Sequence, residues 1–293
     1  AAGGGFAALA TDRHATVAEL TENRRQQQRW EIDALAQLRN GHVARAVGAY
    51  RDHQRVVVTD DRAGLVAAGV QRWLDAHRAG NVPILLAGTN EMVNALNAAA
   101  RQTLLADDIV GPLIDSTDGA LAIGERLMIR VNDYHATTVD GHRAAVLNGQ
   151  PCTLTATHQD GYVVRMDDDA SEIVLTREFV DGGGVGYAYS TTAHKAQGGT
   201  WDLSITVGLD GLYREAGYLV LSRGRQSNWL VVTQPEIDEI DAELAHHRHP
   251  DSIPLPSEDP TTLDEELLGR LNVSRRKLLA HSRDPHAPAI QQI

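Results

Sequence analysis

The sequence predicts an α/β fold built on a parallel sheet and interrupted by a small antiparallel β module. Over roughly the first 115 residues, short apolar strands alternate with amphipathic helices, which is typical of parallel β–α units. After about Asp115 the pattern changes to short alternating strands separated by turn dipeptides such as Asn148-Gly149 and Asp160-Gly161. Such spacing indicates antiparallel hairpins, so the chain combines two kinds of sheet.

The first elements follow from the spacing of apolar residues. Residues 17–50 have apolar positions at helical spacing, and Asn40-Gly41 is the expected helix end. A short strand is predicted at 55–58 and a helix from about 62 to 79. The continuous apolar run at 83–88 is typical of a buried parallel strand, and the next helix is expected to be capped by Thr89 or Asn90.

The later elements restore the α/β pattern. We expect a strand at 186–190, a loop, a strand at 203–209, a helix at 212–222 and a strand at 228–232. The predicted organisation is therefore an α/β unit in two parts, residues 17–116 and 184–235, around an inserted module at 117–183. A polar, acidic and partly helical tail is expected over 236–293.

Composition narrows the class of protein. The single cysteine, Cys152, cannot form an intramolecular disulfide, which favours a reducing compartment. The sequence has no apolar run of the roughly 18 residues that a membrane span needs, and we expect no membrane segment. The net charge of −12 argues weakly against a nucleic-acid partner, but the residues from Glu236 onward, 12 acidic and 6 basic, carry half of it. The start without methionine predicts a fragment.

The loop at 190–202 has the composition of a segment that contacts phosphates. Small residues let the backbone approach a ligand, and the side chains of Thr191, Thr192, His194 and Thr200 can donate to phosphate oxygens. A plain glycine-rich turn explains the same composition. A metal-binding His194 is disfavoured because no second ligand lies at suitable spacing, and no metal site is predicted.

Arginines form two further candidate groups. Arg223 and Arg225 follow an apolar helix and precede an apolar strand, where they suit recognition of a phosphate, although a solvated helix end is the alternative. Arg24 and Arg25 are adjacent, so at most one of them would reach a shared ligand. A phosphate-binding loop of the form G-x-x-x-x-G-K-[ST] is not recognisable, because neither of the two lysines, Lys195 and Lys277, stands in that frame.

Taken together, these segments resemble a known family. YAYSTTAHKAQGGTWD at 187–202, followed by YREAGYLVLSRGR at 213–225, is similar to motifs V and VI of superfamily 1 DNA helicases of the RecD-like branch. LTENRRQ at 20–26 resembles motif IV, and AAGGGF at 1–6 resembles the end of motif III. The sequence of residues 212–228 is most similar to the helicase part of MobF-type conjugative relaxases, the TraA/TrwC-like proteins. The resemblance covers about residues 1 to 233.

The resemblance implies a fold and a set of roles. The chain would be the second RecA-like lobe of a two-lobed motor, with residues 1–16 as the end of the first lobe and an SH3-like module inserted. Arg25 and Arg223 would act as catalytic arginines on the γ-phosphate, with Arg24 as the alternative to Arg25 if the register differs by one. Gln197, Gly198 and Arg225 would lie near the nucleotide, and Thr89, Asn90, Thr192, His194 and Lys195 would contact DNA.

The implied cofactors are ATP and Mg²⁺, held mainly by a first lobe upstream of this chain. The implied partners are single-stranded DNA, that P-loop lobe and a relaxase domain of the same polypeptide, in the cytoplasm. Translocation from 5′ to 3′ follows from the resemblance alone. Two other hypotheses are a DNA-binding module without ATP turnover and an interaction scaffold that recruits a partner through the acidic tail.

Overall fold

The computed structural model describes residues 25–114, 121–210, 214–238 and 240. Helices and strands occur along the chain in this order: α1 (Arg29–Arg39), α2 (Val43–Asp52), β1 (Val56–Thr59), α3 (Arg62–Arg78), β2 (Pro83–Ala87), α4 (Asn90–Ala106), β3 (Leu113–Ile114), β4 (Leu121–Ala122), β5 (Arg126–Ile129), β6 (Thr137–Thr138), β7 (Pro151–His158), β8 (Gly161–Met166), β9 (Glu172–Thr176), α5 (Arg177–Phe179), β10 (Val185–Tyr187), β11 (Ser190–Thr192), β12 (Trp201–Val207), α6 (Arg214–Leu221) and β13 (Gly224–Thr233). A π-helical turn over Val180–Gly184 joins α5 to β10.

Five of the strands form a parallel sheet with the order β1-β13-β12-β2-β11. Helices cover both of its faces, because the strand residues are apolar on both sides. One buried cluster joins α1, α2 and α6 to residues such as Leu86 and Leu230, and another joins α3 and α4 to Leu85 and Val231. The predicted mixed α/β fold with a parallel sheet is confirmed.

The helix starts follow ordinary capping chemistry. The Asp61 side chain accepts a hydrogen bond from the Gly64 N–H at the start of α3, and Thr89 Oγ1 accepts one from the Met92 N–H at the start of α4. The helical pattern of residues 17–50 corresponds to two helices over its described part. The first ends at Asn40, as predicted, and Gly41 takes a φ of +88°, a left-handed conformation that turns the chain into α2.

Six further strands form an antiparallel sheet with the order β10-β5-β7-β8-β9-β6. Its own apolar core includes Leu127, Leu154, Tyr162 and Val164, all nearly inaccessible to solvent. The buried Glu125 links this sheet to the α/β unit: it accepts a hydrogen bond from the Arg101 side chain of α4 at 2.5 Å. The predicted boundaries of the module and of the neighbouring units stay predictions.

The strand expected at 186–190 is divided between the two sheets. Val185–Tyr187 pairs with β5 in the antiparallel sheet, whereas Ser190–Thr192 pairs with β2 in the parallel sheet. The change occurs between Ala188, whose N–H bonds to the Arg126 carbonyl, and Tyr189, whose carbonyl accepts the Leu85 N–H. An apolar run cannot reveal such a transfer, because both halves are extended and partly buried.

None of the helices in the described part of the chain has both the length and the apolar character needed to cross a lipid bilayer. The motif III segment at 1–16, the alternative arginine Arg24 and nearly all of the tail at 236–293 lie outside the described residues.

The buried Cys152 gives a test of the antiparallel sheet. Cys152 is inaccessible to solvent, and burial raises the pKa of its thiol to about 12. Because the thiolate is the reactive form, we expect a thiol reagent at about pH 8 to label the native chain far more slowly than the urea-unfolded chain. Mass spectrometry of the labelled chain measures both rates. Labelling at equal rates would contradict the packing of β7.

Candidate functional site

Arg223 lies in the turn that connects α6 to β13, which we call the arginine turn (Ser222–Arg225). Its side chain is largely buried and is held at three points. Nε donates to the Leu219 carbonyl at 2.7 Å, Nη2 donates to Ser222 Oγ at 2.9 Å, and Nη1 donates to the Gly199 carbonyl at 3.4 Å. The long third bond is the weakest of the three and the easiest to exchange for a ligand oxygen.

Arg25 and Gln26 are distant from the arginine turn in the sequence but hydrogen-bond to its backbone. Arg25 Nη1 donates to the Ser222 carbonyl at 2.7 Å, and Gln26 Nε2 donates to the carbonyls of Ser222 and Gly224 at 3.1 and 3.0 Å. Burial and then the nearby charge of Arg25 lower the pKa of Arg223. The structure therefore brings together the two arginines that the sequence singled out, and a phosphate would relieve their mutual repulsion.

A buried polar network supports the arginine turn from beneath. Asn228 Oδ1 accepts the Gly224 N–H at 2.7 Å and lies 2.6 Å from the Ser204 hydroxyl. Glu31 Oε1 accepts from the Asn228 side chain at 2.9 Å and from Tyr50 at 3.2 Å. Gly224 has no room for a side chain, since an added Cβ would lie 2.2 Å from the Ser227 carbonyl oxygen. Sequence reasoning missed this network, because Glu31 and Asn228 are far apart in the sequence and no local pattern connects them.

Arg225 has a different environment. Its Nε donates to Asp202 Oδ1 at 2.7 Å, and Asp202 also accepts the Val82 N–H at 2.8 Å. Hydrogen bonding from Val82 is the main cause that lowers the pKa of Asp202, and the Arg225 ion pair adds to it. A nucleotide at Arg225 would therefore compete with a carboxylate.

The loop between β11 and β12, residues 193–200, runs from the carboxyl end of one strand to the amino end of the other. Ala193 and Ala196 anchor it in the core, while Gln197 and Gly198 are exposed. Gly198 takes a φ of +92°, which favours glycine. The Gly199 carbonyl accepts from Arg223, so the end of this loop contacts the arginine turn.

The start of the same loop lies at a cleft of about 310 Å³. One wall contains Asn90, Thr192 and Lys195 at the carboxyl ends of β2 and β11; the other contains Arg130 and the Asn148-Gly149 turn of the antiparallel sheet. Among the described residues that line it, none is acidic. Lys195 and Arg130 therefore give the cleft a positive charge despite the negative charge of the chain.

The other predicted DNA-contact residues lie outside the walls of this cleft. Thr89 is the N-cap of α4 and its hydroxyl is already used by the Met92 N–H. His194 is exposed next to Lys195. Sequence reasoning missed two residues of the cleft, Arg130 and Asn97. The side-chain oxygen of Asn97 accepts the Ser190 N–H at 2.8 Å and holds β11 against α4. The described residues contain no group of three His, Cys, Asp or Glu side chains suited to hold a metal ion.

Comparisons with known proteins give matches in both sequence and structure. A family model described as an AAA domain matches residues 1–61. Among solved structures, Pif1 helicase from Bacteroides bound to single-stranded DNA is 19% identical, with a TM-score of 0.45 over 80% of this chain and 57% of that one. Pif1 helicase from Candida albicans is 17% identical, with a TM-score of 0.46 over 77% of this chain and 60% of that one.

Two curated conjugation proteins also match the sequence. The probable conjugal transfer protein TraA of Sinorhizobium fredii is 27% identical over 229 residues, which are 77% of this chain and 20% of that protein. The conjugal transfer protein TraA of Agrobacterium fabrum is 27% identical over 213 residues, 71% of this chain and 19% of that protein. The chain thus spans about a fifth of the length of the curated relatives that it matches.

The resemblance to the TraA-like conjugation proteins that the sequence predicts is confirmed: the chain is similar to two TraA conjugal transfer proteins over most of its length.

Glu31 provides a pH test of the network beneath the arginine turn. Burial raises the pKa of Glu31 from 4.5, and the bonds from Asn228 and Tyr50 offset this only in part. A carboxyl with a raised folded-state pKa contributes its full stability below the unfolded pKa and loses it as pH rises through the folded pKa. Glu31→Gln removes this titration.

We therefore expect the free energy of unfolding of Glu31→Gln to rise relative to that of the unaltered chain as the pH increases above 4.5. Urea unfolding at a series of pH values measures the difference. Glu172→Gln, at an exposed position of β9, is the matched control and should leave the profile unchanged. Parallel profiles for Glu31→Gln and the unaltered chain would show that Glu31 does not titrate in this range.

Proposed function

We propose that this chain is the second RecA-like lobe of an ATP-dependent DNA helicase that translocates 5′ to 3′ on single strands and is part of a conjugative relaxase. One observation carries the proposal. The loop 193–200 contacts the arginine turn at one end and forms a wall of the positively charged cleft at the other. A segment joined to both sites can transmit a change at a nucleotide to a bound strand.

The two sites lie at opposite ends of the strands of the parallel sheet. β12 and β13 begin at the arginine turn, whereas β2 and β11 end at the cleft. About six strand residues separate these levels, which corresponds to roughly 20 Å. This separation keeps a nucleotide and a strand of DNA from competing for the same surface.

The chemistry of the arginine turn fits a transferring phosphoryl group. Arg223 and Arg25 would stabilise the charge that develops on the γ-phosphate, as arginine fingers do. Gln197 and Gly198, on the exposed part of the loop, would lie beside the nucleotide. Arg225 would also contact the nucleotide once a phosphate replaces Asp202 as its partner. In this proposal a first lobe encoded upstream supplies most of the contacts to ATP and Mg²⁺.

The chemistry of the cleft fits a nucleic-acid backbone. Lys195 and Arg130 would pair with successive phosphates, and Asn90 and Thr192 would donate hydrogen bonds to them. The hydroxyl of Ser190, in the same wall, is buried without a hydrogen-bond partner, so the cleft offers an unsatisfied polar atom to a ligand. The antiparallel sheet, in this proposal an SH3-like module, closes the cleft from the other side; Thr89 and His194 extend it. The setting would be the cytoplasm.

The second candidate function is a DNA-binding module without ATP turnover. It is favoured by the cleft, whose walls are complete within the described residues, whereas no phosphate-binding loop is recognisable in the sequence. Both candidates require the cleft to bind DNA. They differ in whether ATP hydrolysis follows.

The cleft is tested with Lys195→Gln and Arg130→Gln. Each change should weaken binding of a short single-stranded oligonucleotide about fivefold, the equivalent of roughly 1 kcal/mol. Each should also reduce the slope of log K against log salt by about 0.7, the value for one phosphate contact. Fluorescence anisotropy at several salt concentrations measures both. Arg165→Gln, an exposed arginine of the same antiparallel sheet outside the cleft, is the control. Unchanged binding in both cleft variants would refute the assignment.

Catalysis is tested in a protein that includes the upstream segment with its phosphate-binding loop. Arg223→Gln should lower DNA-stimulated ATP turnover by about 10³-fold while DNA affinity is retained, because the arginine acts on the transition state. Arg29→Gln, which removes an exposed arginine paired with Asp33, is the matched control. The 293-residue chain alone should bind DNA without turnover. DNA-stimulated turnover by the chain alone would contradict its assignment as a second lobe.

A further inference from the structure

A second pocket, of about 400 Å³, lies at the amino ends of the strands of the parallel sheet, whereas the cleft lies at their carboxyl ends. We call it the aromatic pocket, because Trp73, His77, Tyr189 and Trp201 form much of its wall. The volume lies within the range of roughly 300–1,000 Å³ that is usual for small-molecule sites. Nothing in the helicase roles described above uses it.

The aromatic rings present flat surfaces in fixed orientations. Trp73 and His77 are stacked with their ring centres 5.4 Å apart, and Tyr189 meets Trp73 edge to face at 5.5 Å. Trp73 Nε1 donates to the Pro83 carbonyl at 3.3 Å, which fixes the indole. Burial, with a smaller effect of Arg126, lowers the pKa of His77, so the imidazole is neutral at pH 7.

Tyr189 contributes an unsatisfied hydroxyl. The side chain is only 2% exposed, and its hydroxyl donates to no acceptor among the described residues; the Arg126 backbone N–H interacts with its oxygen. Burial is the main cause that raises the pKa of Tyr189, so the group keeps its proton and stays a donor. A buried hydroxyl left without an acceptor is destabilising, and an acceptor on a ligand would remove that cost.

The antiparallel sheet supplies the polar part of the wall. Arg126 Nη1 donates to Asp167 Oδ1 at 2.6 Å and to Thr153 Oγ1 at 2.8 Å. The Asp167 side chain is about a third exposed (34%), so its remaining lone pairs can accept from a ligand N–H. Stacking surfaces, a buried donor and a carboxylate acceptor therefore border one space.

We propose that the aromatic pocket binds a neutral planar heterocycle carrying a ring carbonyl beside an N–H, the chemistry of an oxopurine or oxopyrimidine base. The carbonyl accepts from Tyr189, the N–H donates to Asp167, and the ring lies against the indoles. The base is supplied either by a free nucleoside or by a nucleotide of a strand. The site is separate from the cleft and does not depend on its assignment.

The mouth of the pocket is marked by two exposed apolar side chains. Val82 is 59% exposed and Ile109 is 38% exposed, and both line the pocket. An arginine at position 82 would extend over the opening. Val58, 42% exposed on β1 at the far edge of the sheet, is the matched position for a control.

The experiment compares two nucleosides that differ only at the proposed contacts. Inosine has the 6-carbonyl and the N1–H, whereas purine riboside lacks both. We expect inosine to bind the chain with a Kd below about 1 mM and purine riboside to bind about tenfold more weakly. Saturation-transfer NMR and quenching of tryptophan fluorescence measure the two affinities.

The variants separate a ligand site from a structural role. Tyr189→Phe should weaken inosine binding about tenfold without lowering Tm, because the hydroxyl it removes donates to no acceptor in the described part of the protein. Val82→Arg should abolish binding, while Val58→Arg and Lys195→Gln should leave it unchanged. Equal affinity for the two nucleosides, no detectable inosine binding, or full binding by Tyr189→Phe would each overturn the proposal.

A hypoxanthine-containing oligonucleotide identifies the source of the base. If it displaces inosine from the unaltered chain with a lower Kd than inosine itself, the pocket takes a base from a strand. If it fails to displace inosine, the pocket takes the free nucleoside. In both cases inosine must already occupy the pocket, so either result requires that the proposed chemistry holds.

Discussion

One buried carboxylate holds together the part of the fold on which the proposed chemistry depends. Glu31 lies in α1, and its bonds to Asn228 fix the start of β13 against the helices on that face of the sheet. Asn228 in turn fixes Gly224 and thereby the turn that carries Arg223. Removing a carboxylate from water is costly, and here three donors to one oxygen compensate for only part of that cost. The protein thus accepts a local loss of stability to hold an arginine in one orientation.

The strands of a parallel sheet all start on one side of the sheet and end on the other, and this chain places a candidate site on each side. The arginines gather where β12 and β13 begin, and the cation-lined cleft forms where β2 and β11 end. The loop 193–200 passes near both places. Its alanines, Ala193 and Ala196, are buried and anchor the loop in the core, while the residues that follow each of them are exposed.

Much of this arrangement could be predicted from the sequence, because local patterns determine it. Apolar periodicity located α3, α4 and β2 to within one or two residues, and Thr89 is one of the two residues predicted to cap α4. The family resemblance placed Arg25 near Arg223, although 198 positions separate them. What the sequence could not predict depends on contacts between distant residues: the Asp202 partner of Arg225, the Arg130 wall of the cleft, and the transfer between sheets at Ala188.

The scarcity of lysine has a practical consequence for chemistry at the cleft. Of the two lysines in the chain, Lys195 is exposed on the cleft wall, and the other, Lys277, lies in the acidic tail. An amine-reactive dye or crosslinker therefore has few places to attach, and one of them is the proposed path of the DNA. Most soluble proteins need engineering before a label can be directed to a single functional surface. Here the amino-acid composition already restricts the attachment sites.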